Sequence, residues 1–415
     1  MKTTPALPPT SGPCSQASEL DEPLDVRLVD PTGTDPEPEW GQSLSRGAPG
    51  IALLHITRAR TGQGTWHTAH QWAAAATRAP ISAHRRSGLF HGVTAVAYAI
   101  AYADHPGYTT ALHTLDTNIE ELTAHRLCAA HARIDRAELP ALAEYDLISG
   151  LTGIGCYLLR RHPDDAAVRA VLDYLVRLTL PLRPPHHDAA LPGWWTGNDH
   201  TDRPSSSLPG GHANFGMAHG ITGPLALLAT ALRRGVTVDG HAEAIDRICR
   251  WLDTWRQGHG TTTWWPAQIT AQEYRTGRTR QPGPGRPSWC YGTPGLARAQ
   301  QLAALALDDP HRQRAAEQAI LGCITNPRPL AELTGSTLCH GWAGLLLTAA
   351  RAAADASTGV LTERLLALKT RLAAPTPQPA AQVGLLDGAA GIELTRTAAD
   401  AEQPWPWDAC LLTAG

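Results

Sequence analysis

In the stretch "STLCHGWAGLLLTAA" (336–350), Cys339 and His340 stand side by side, just ahead of a Gly-x-x-Gly pair and an apolar run. A near copy, "SWCYGTPGLARA" (288–299), puts Cys290 two residues before Gly292, as Cys339 stands two before Gly341. Thiolate sulfur and imidazole nitrogen are zinc donors, and three protein ligands with an open fourth position describe a catalytic ion. An adjacent Cys-His pair alone is a poor metal motif, since zinc ligands are usually spaced by two or more residues. What strengthens the reading is that two distant cysteines share one slot. Zn²⁺ with two thiolates and a neutral imidazole carries no net charge. A substrate thiol taking the fourth position loses its proton and keeps much electron density on sulfur. Such a site suits activation of a thiol nucleophile better than Lewis-acid hydrolysis.

The slot recurs along the chain. Gly-x-x-Gly followed by apolar residues begins at Gly47, Gly150, Gly220, Gly292, Gly341 and Gly388. A seventh copy begins at Gly92, where Ala95 replaces the second glycine. Three residues before each first glycine stands a large apolar residue: Leu44, Leu89, Leu147, Met217, Trp289, Leu338, Leu385. Immediately before it stands a polar residue or a phenol: Arg46, His91, Ser149, His219, Tyr291, His340, Asp387. Each interval has room for an apolar helix after the glycines and a second, more polar helix. Helical spacing of apolar residues is visible at 164–180, 241–256, 311–324 and 361–373. The helices after the glycines are apolar nearly all round and should be the buried ones. Seven hairpins form either an open solenoid or a closed ring of inner helices within outer ones. In a ring, the seven junctions converge at one end, where helix N-termini favour anions such as a thiolate.

Converging there are Cys290, Cys339, His340, His219, His91, Asp146 and Asp387. His219 would face the metal end, where an imidazole can shuttle a proton near neutral pH. Arg286, four residues before Cys290, could pair with a carboxylate such as Asp146 or bind substrate. Tyr291 fits a core role as well as a site role, and His91 and Asp387 read as rim or capping residues. Of the remaining cysteines, Cys14 falls in the N-terminal arm, and Cys128, Cys156, Cys249, Cys323 and Cys410 read as small buried hydrophobes.

The chain has 415 residues, 43% hydrophobic and 18% charged, with net charge −3. A large core is affordable, and no basic surface points to nucleic acid. No secretory h-region or membrane span is visible, and eight scattered cysteines suit a reducing cytoplasmic setting. Residues 1–40, rich in Pro, Ser, Asp and Glu, read as a flexible N-terminal arm before a single domain over 41–415. Long loops are expected near 104–144 and 181–212. The Trp-bearing segment "PGWWTGNDHTDRPSSSLPGGHAN" in the second is expected to line a peptide groove over the metal end; "TTTWWPAQIT" (261–270) reads similarly.

The stretches "YDLISGLTGIG", "GMAHGITGPLALL", "RPSWCYGTPG", "TLCHGWAGLLL" and "GLLDGAAGIEL" resemble the lanthipeptide cyclases, the lanthionine synthetase C-like proteins, over about residues 40–412. The resemblance implies an all-α fold, an α/α toroid of seven inner and seven outer helices. It implies one catalytic zinc held by Cys290, Cys339 and His340, and catalytic roles for Asp146, His219, Arg286 and Tyr291. The implied reaction adds a peptide cysteine thiolate to dehydroalanine or dehydrobutyrine and protonates the enolate, leaving a thioether ring. His219 is then the proton-transfer residue; Asp146 orients His219 or Arg286, and Arg286 steadies the enolate oxygen. The implied partner is a dehydrated precursor peptide, leader plus core, prepared by a separate dehydratase. Three rivals stand beside this reading. One is zinc-dependent addition of glutathione or another small thiol to dehydroamino acids. Another is a non-catalytic peptide-binding toroid. The third is a toroidal glycosidase or terpene-type cyclase working through paired carboxylates, which leaves the Cys-Cys-His set unexplained.

Overall fold

The structure is a computed structural model. It describes residue 31 and residues 40–185, 189–199, 203–204, 208–374, 382–398 and 406–415. The expected flexible arm lies almost wholly outside the described residues, as does Cys14.

Seven helices follow the seven glycine junctions: α1 (Ala48–Arg60), α3 (Val93–Tyr102), α5 (Leu151–Arg161), α7 (Thr222–Arg233), α9 (Thr293–Ala306), α11 (Trp342–Ala354) and α13 (Ala389–Ala398). Between them run α2 (Trp66–Ala75), α4 (Thr109–Asp135), α6 (Ala166–Leu178), α8 (His241–Trp255), α10 (Pro310–Thr325) and α12 (Val360–Ala373). The odd-numbered helices form the inner layer. Each packs on the next, and α13 packs on α1, so the ring closes. The described residues include six outer helices. Burial follows the layers. All ten residues of α3 are buried, whereas α8 buries a stripe of Ala244, Ile245, Ile248, Cys249, Leu252 and Trp255, the pattern of a helix with one face on a core.

Backbone hydrogen bonds stitch the junctions into a circle. Leu44 N donates to Phe90 O, Phe90 N to Ile148 O, Leu147 N to Ala218 O, and Met217 N to Cys290 O. Cys290 N donates to Cys339 O, Cys339 N to Leu386 O, and Leu386 N to Ser45 O. Every junction is thereby held in one register with its neighbours. Close approach explains the second glycine: a Cβ on Gly344 would sit 2.0 Å from Leu338 O, and one on Gly391 1.9 Å from Leu385 O. The repeat that carries Ala95 instead has a different turn, with Gly92 at φ 78°, a conformation glycine adopts without strain.

Three expectations are corrected. The stretch 104–144 is mostly helix, since α4 alone runs 27 residues. Its buried Leu112, Leu115, Ile119 and Leu122 form one narrow apolar stripe on an otherwise polar surface, which hid the period. Cys128, on that helix, is exposed, while Cys156, Cys249, Cys323 and Cys410 are buried. The tryptophans expected along a groove face inward. Trp194, Trp195 and Trp265 are buried, and Trp194 and Trp195 pack against Trp251 and Tyr274 respectively. Around them the two supposed loops pair as a small antiparallel ribbon, β1 (His212–Asn214) with β2 (Gln268–Thr270).

Residues 407–414 are buried and bonded to inner helices. Tyr98 Oη donates to Trp407 O at 2.9 Å, and Arg298 Nε to Thr413 O at 2.9 Å. Arg351 grips Asp408 through two bonds of 2.7 Å, and Trp289 Nε1 donates to Leu411 O at 3.0 Å. This segment braces Trp289, the residue before Cys290, and helix α11, which follows His340.

Candidate metal centre and proton-transfer pair

Cys290 and Cys339 occupy the same slot of adjacent junctions, and the Cys290 N to Cys339 O bond of 3.3 Å holds those slots side by side. The donor atoms of Cys290, Cys339 and His340 all lie within 4.8 Å of one another. Zinc bonds sulfur at about 2.3 Å and imidazole nitrogen at about 2.0 Å, so the three donors stand near the spacing that one ion spans. Cys290 is buried and Cys339 half-buried, while the His340 side chain is 40% exposed. The group is therefore walled on the sulfur side and open on the imidazole side. A hydrogen bond from Cys339 holds the Cys290 thiol well below its ordinary pKa, against the burial that opposes it, with His340 and Ser288 helping. A thiolate favoured in this place, beside a second thiol and an imidazole, is the donor chemistry that a soft divalent cation needs.

His219 stands one junction before Cys290. Its Nδ1 lies 2.6 Å from Asp146 Oδ2. Asp146 is buried, and its Oδ1 accepts from the backbone N–H of Ser149 and of Gly150, each at 2.7 Å. The carboxylate is thus fully occupied by the turn that opens α5 and by the imidazole. Burial alone would push the His219 pKa down. The hydrogen bond and charge of Asp146, with some help from Cys290, hold it above the ordinary value. With Nδ1 turned to Asp146, Nε2 is the nitrogen left for a reacting group.

Tyr291 lies between the two groups. Its ring stacks on His219 at 6.3 Å between centroids, and Asn214 Nδ2 donates to its Oη at 3.1 Å. Burial raises its pKa to about 12, so the phenol stays neutral. Arg286 is exposed, and its charge acts on Cys339 and His340. Of the two partners open to Asp146, His219 is the one it bonds. His91 sits in a backbone turn with Gly88. Asp387 reaches His340, its Oδ1 lying 3.6 Å from the ring Nδ1.

Sequence reasoning missed Asn214 and Ser288. Asn214 ends β1 and ties that ribbon to Tyr291 while accepting from Gly216 N at 2.9 Å. Ser288 Oγ lies 3.6 Å from Cys290 Sγ. Only the "GHANFGMAHG" spacing, five residues from Asn214 to His219, hinted at the first.

An all-α toroid with a Cys-Cys-His group and an Asp-His pair at the converging N-termini of its inner helices is the class these features define. The family model described as "Lanthionine synthetase C-like protein" matches residues 38–412, and the chain belongs to that family. It is 25% identical over 266 residues to the nisin biosynthesis protein NisC of Lactococcus lactis subsp. lactis, an alignment covering 62% of this chain and 60% of that protein. Its fold matches the solved structure of nisin cyclase with a TM-score of 0.76 at 20% identity, over 94% of each chain. Among the described residues, no helix is long and apolar enough to cross a membrane.

Proposed function

We propose that this protein is a zinc-dependent lanthipeptide cyclase acting on a dehydrated precursor peptide, with Cys290, Cys339 and His340 as the zinc ligands. The observation that carries the reading is the Cys-Cys-His group standing one junction from the Asp146–His219 pair. Bound by these two thiolates and the imidazole, zinc would lower the pKa of a peptide cysteine thiol and so supply a thiolate nucleophile at neutral pH.

The chain's own residues supply the rest. Attack on the β-carbon of dehydroalanine or dehydrobutyrine forms the C–S bond and moves the alkene electrons onto the α-carbon and carbonyl as an enolate. His219, its pKa raised by Asp146, delivers a proton from Nε2 to the α-carbon. The thiol's own proton restores the imidazolium directly or through solvent, so the overall step is an addition without loss of mass. Asp146 fixes the tautomer and orientation of His219. Arg286, exposed beside the centre, steadies the enolate oxygen. Neutral Tyr291 walls the space between nucleophile and proton donor. The substrate must arrive dehydrated, so a dehydration step comes first, and a cytoplasmic setting keeps the ligand thiols reduced.

The test is incubation with a dehydrated, cysteine-containing peptide. Loss of free thiol without mass change, absent in Cys290→Ala, is the expected result. Addition of glutathione mass in preference to ring closure would replace peptide cyclisation with small-thiol addition. Bound peptide with its thiol intact would make the protein a binder.

A further inference from the structure

The residue before the first glycine of the seventh junction, Asp387, read from sequence as a rim residue, has a buried Oδ1. Among the described residues that oxygen accepts no hydrogen bond. A shielded carboxylate oxygen without a donor is costly. It faces the imidazole of His340, with 3.6 Å between Oδ1 and Nδ1. The backbone makes this meeting unavoidable. Cys339 N donates to Leu386 O at 2.9 Å, so the residues that follow, His340 and Asp387, project side by side from equivalent slots. On its other side Leu386 N donates to Ser45 O at 2.9 Å, which pins the seventh junction to the first. The carboxylate is therefore held near the imidazole from both directions, and closing a few tenths of an ångström would give it the donor it lacks.

We propose that Asp387 is the positioning residue of the metal centre: its carboxylate accepts the ring N–H of His340, sets that imidazole's tautomer and orientation, and leaves the other ring nitrogen free for zinc. This rests on the reading of Cys290, Cys339 and His340 as zinc ligands. A carboxylate behind a ligating histidine raises its basicity and fixes its ring, and losing such a partner typically costs about 10- to 100-fold in metal affinity. Asp387 touches neither substrate nor reacting atoms.

The experiment is titration of zinc alone against a chromophoric chelator, with wild type, Asp387→Ala and Asp387→Asn, alongside the melting temperature of each metal-free protein. Zinc affinity should fall by about 10- to 100-fold in Asp387→Ala and by about tenfold in Asp387→Asn, which keeps the shape and loses the charge. The metal-free melting temperature of Asp387→Asn should match that of wild type. Wild-type zinc affinity in Asp387→Asn overturns the proposal, even if Asp387→Ala melts early and binds poorly, because the alanine effect is then one of packing. A wild-type protein that never binds zinc overturns the metal-centre reading and this inference with it.

Discussion

Two imidazole–carboxylate pairs stand at the junctions, and they are built differently. Asp146 is buried, bonded by two backbone N–H groups, and 2.6 Å from His219. Asp387 is 39% exposed, has one oxygen without a donor among the described residues, and stands 3.6 Å from His340. The first pair is complete without a metal: its carboxylate raises the pKa of an imidazole that burial alone would lower. The second pair is unfinished, with an imidazole shared between a carboxylate and two thiols. The difference suits the proposed roles: a proton-transfer histidine needs its partner settled before the reaction, whereas a ligand histidine would be settled by the ion as well as by its partner. A third histidine supplies the contrast. His212 is buried with its Nδ1 unbonded among the described residues, and desolvation lowers its pKa to about 4.

Substitutions separate the two pairs. Cys290→Ala should abolish zinc binding and lower cyclisation by about 10⁴-fold or more, the loss of several kcal/mol, while the protein still folds. Metal analysis, peptide thiol assay and circular dichroism check this; retained stoichiometric zinc would break the division. His219→Ala should keep zinc and lose on the order of 10³-fold in kcat. Zinc loss from that variant would put both histidines in one group. Asp146→Asn should lower kcat by about 10- to 100-fold and drop the His219 pKa, because the main opposition to burial is then gone; an NMR titration of the imidazole reads it directly.

The histidine that desolvation holds low, His212, gives a stability prediction. Between pH 6.5 and about 4, His212 is protonated in the unfolded chain and neutral in the folded one, so unfolding takes up a proton. Stability therefore falls as pH drops through that window, by roughly 3 kcal/mol from this group. His219, with a raised pKa, works in the opposite sense. Urea denaturation at pH 7 and pH 4.5 should show a smaller drop in His212→Asn than in wild type. The smallest effect is expected from Tyr291→Phe, which removes the bond from Asn214. It should cost about 1 kcal/mol, seen as a several-fold loss of rate with zinc unchanged.

Much of this site was legible in the residues. The seven glycine slots foretold seven buried helices and put Cys290 and Cys339 in equivalent places, because a close helix junction tolerates no side chain there. The paired roles were not legible. Asp146 lies four residues before its glycine, outside the slot, and only the turn at Ser149 and Gly150 directs it to His219. Asp387 shares its slot with residues as different as Arg46 and Tyr291, so residue type did not reveal its neighbour. Helix α4 was hidden because its apolar stripe is narrow, and the tryptophans of the 181–212 region looked like groove residues because their burial comes from distant Trp251 and Tyr274.

By itself the sequence determined the repeat, the buried helices and the identity of the donor atoms, since spacing and side-chain chemistry are local properties. Ring closure, the pairing of Asp146 with His219 rather than Arg286, and the approach of Asp387 to His340 were decided only in three dimensions. Each depends on backbone bonds between junctions 45 or more residues apart, and no local pattern records which turns meet.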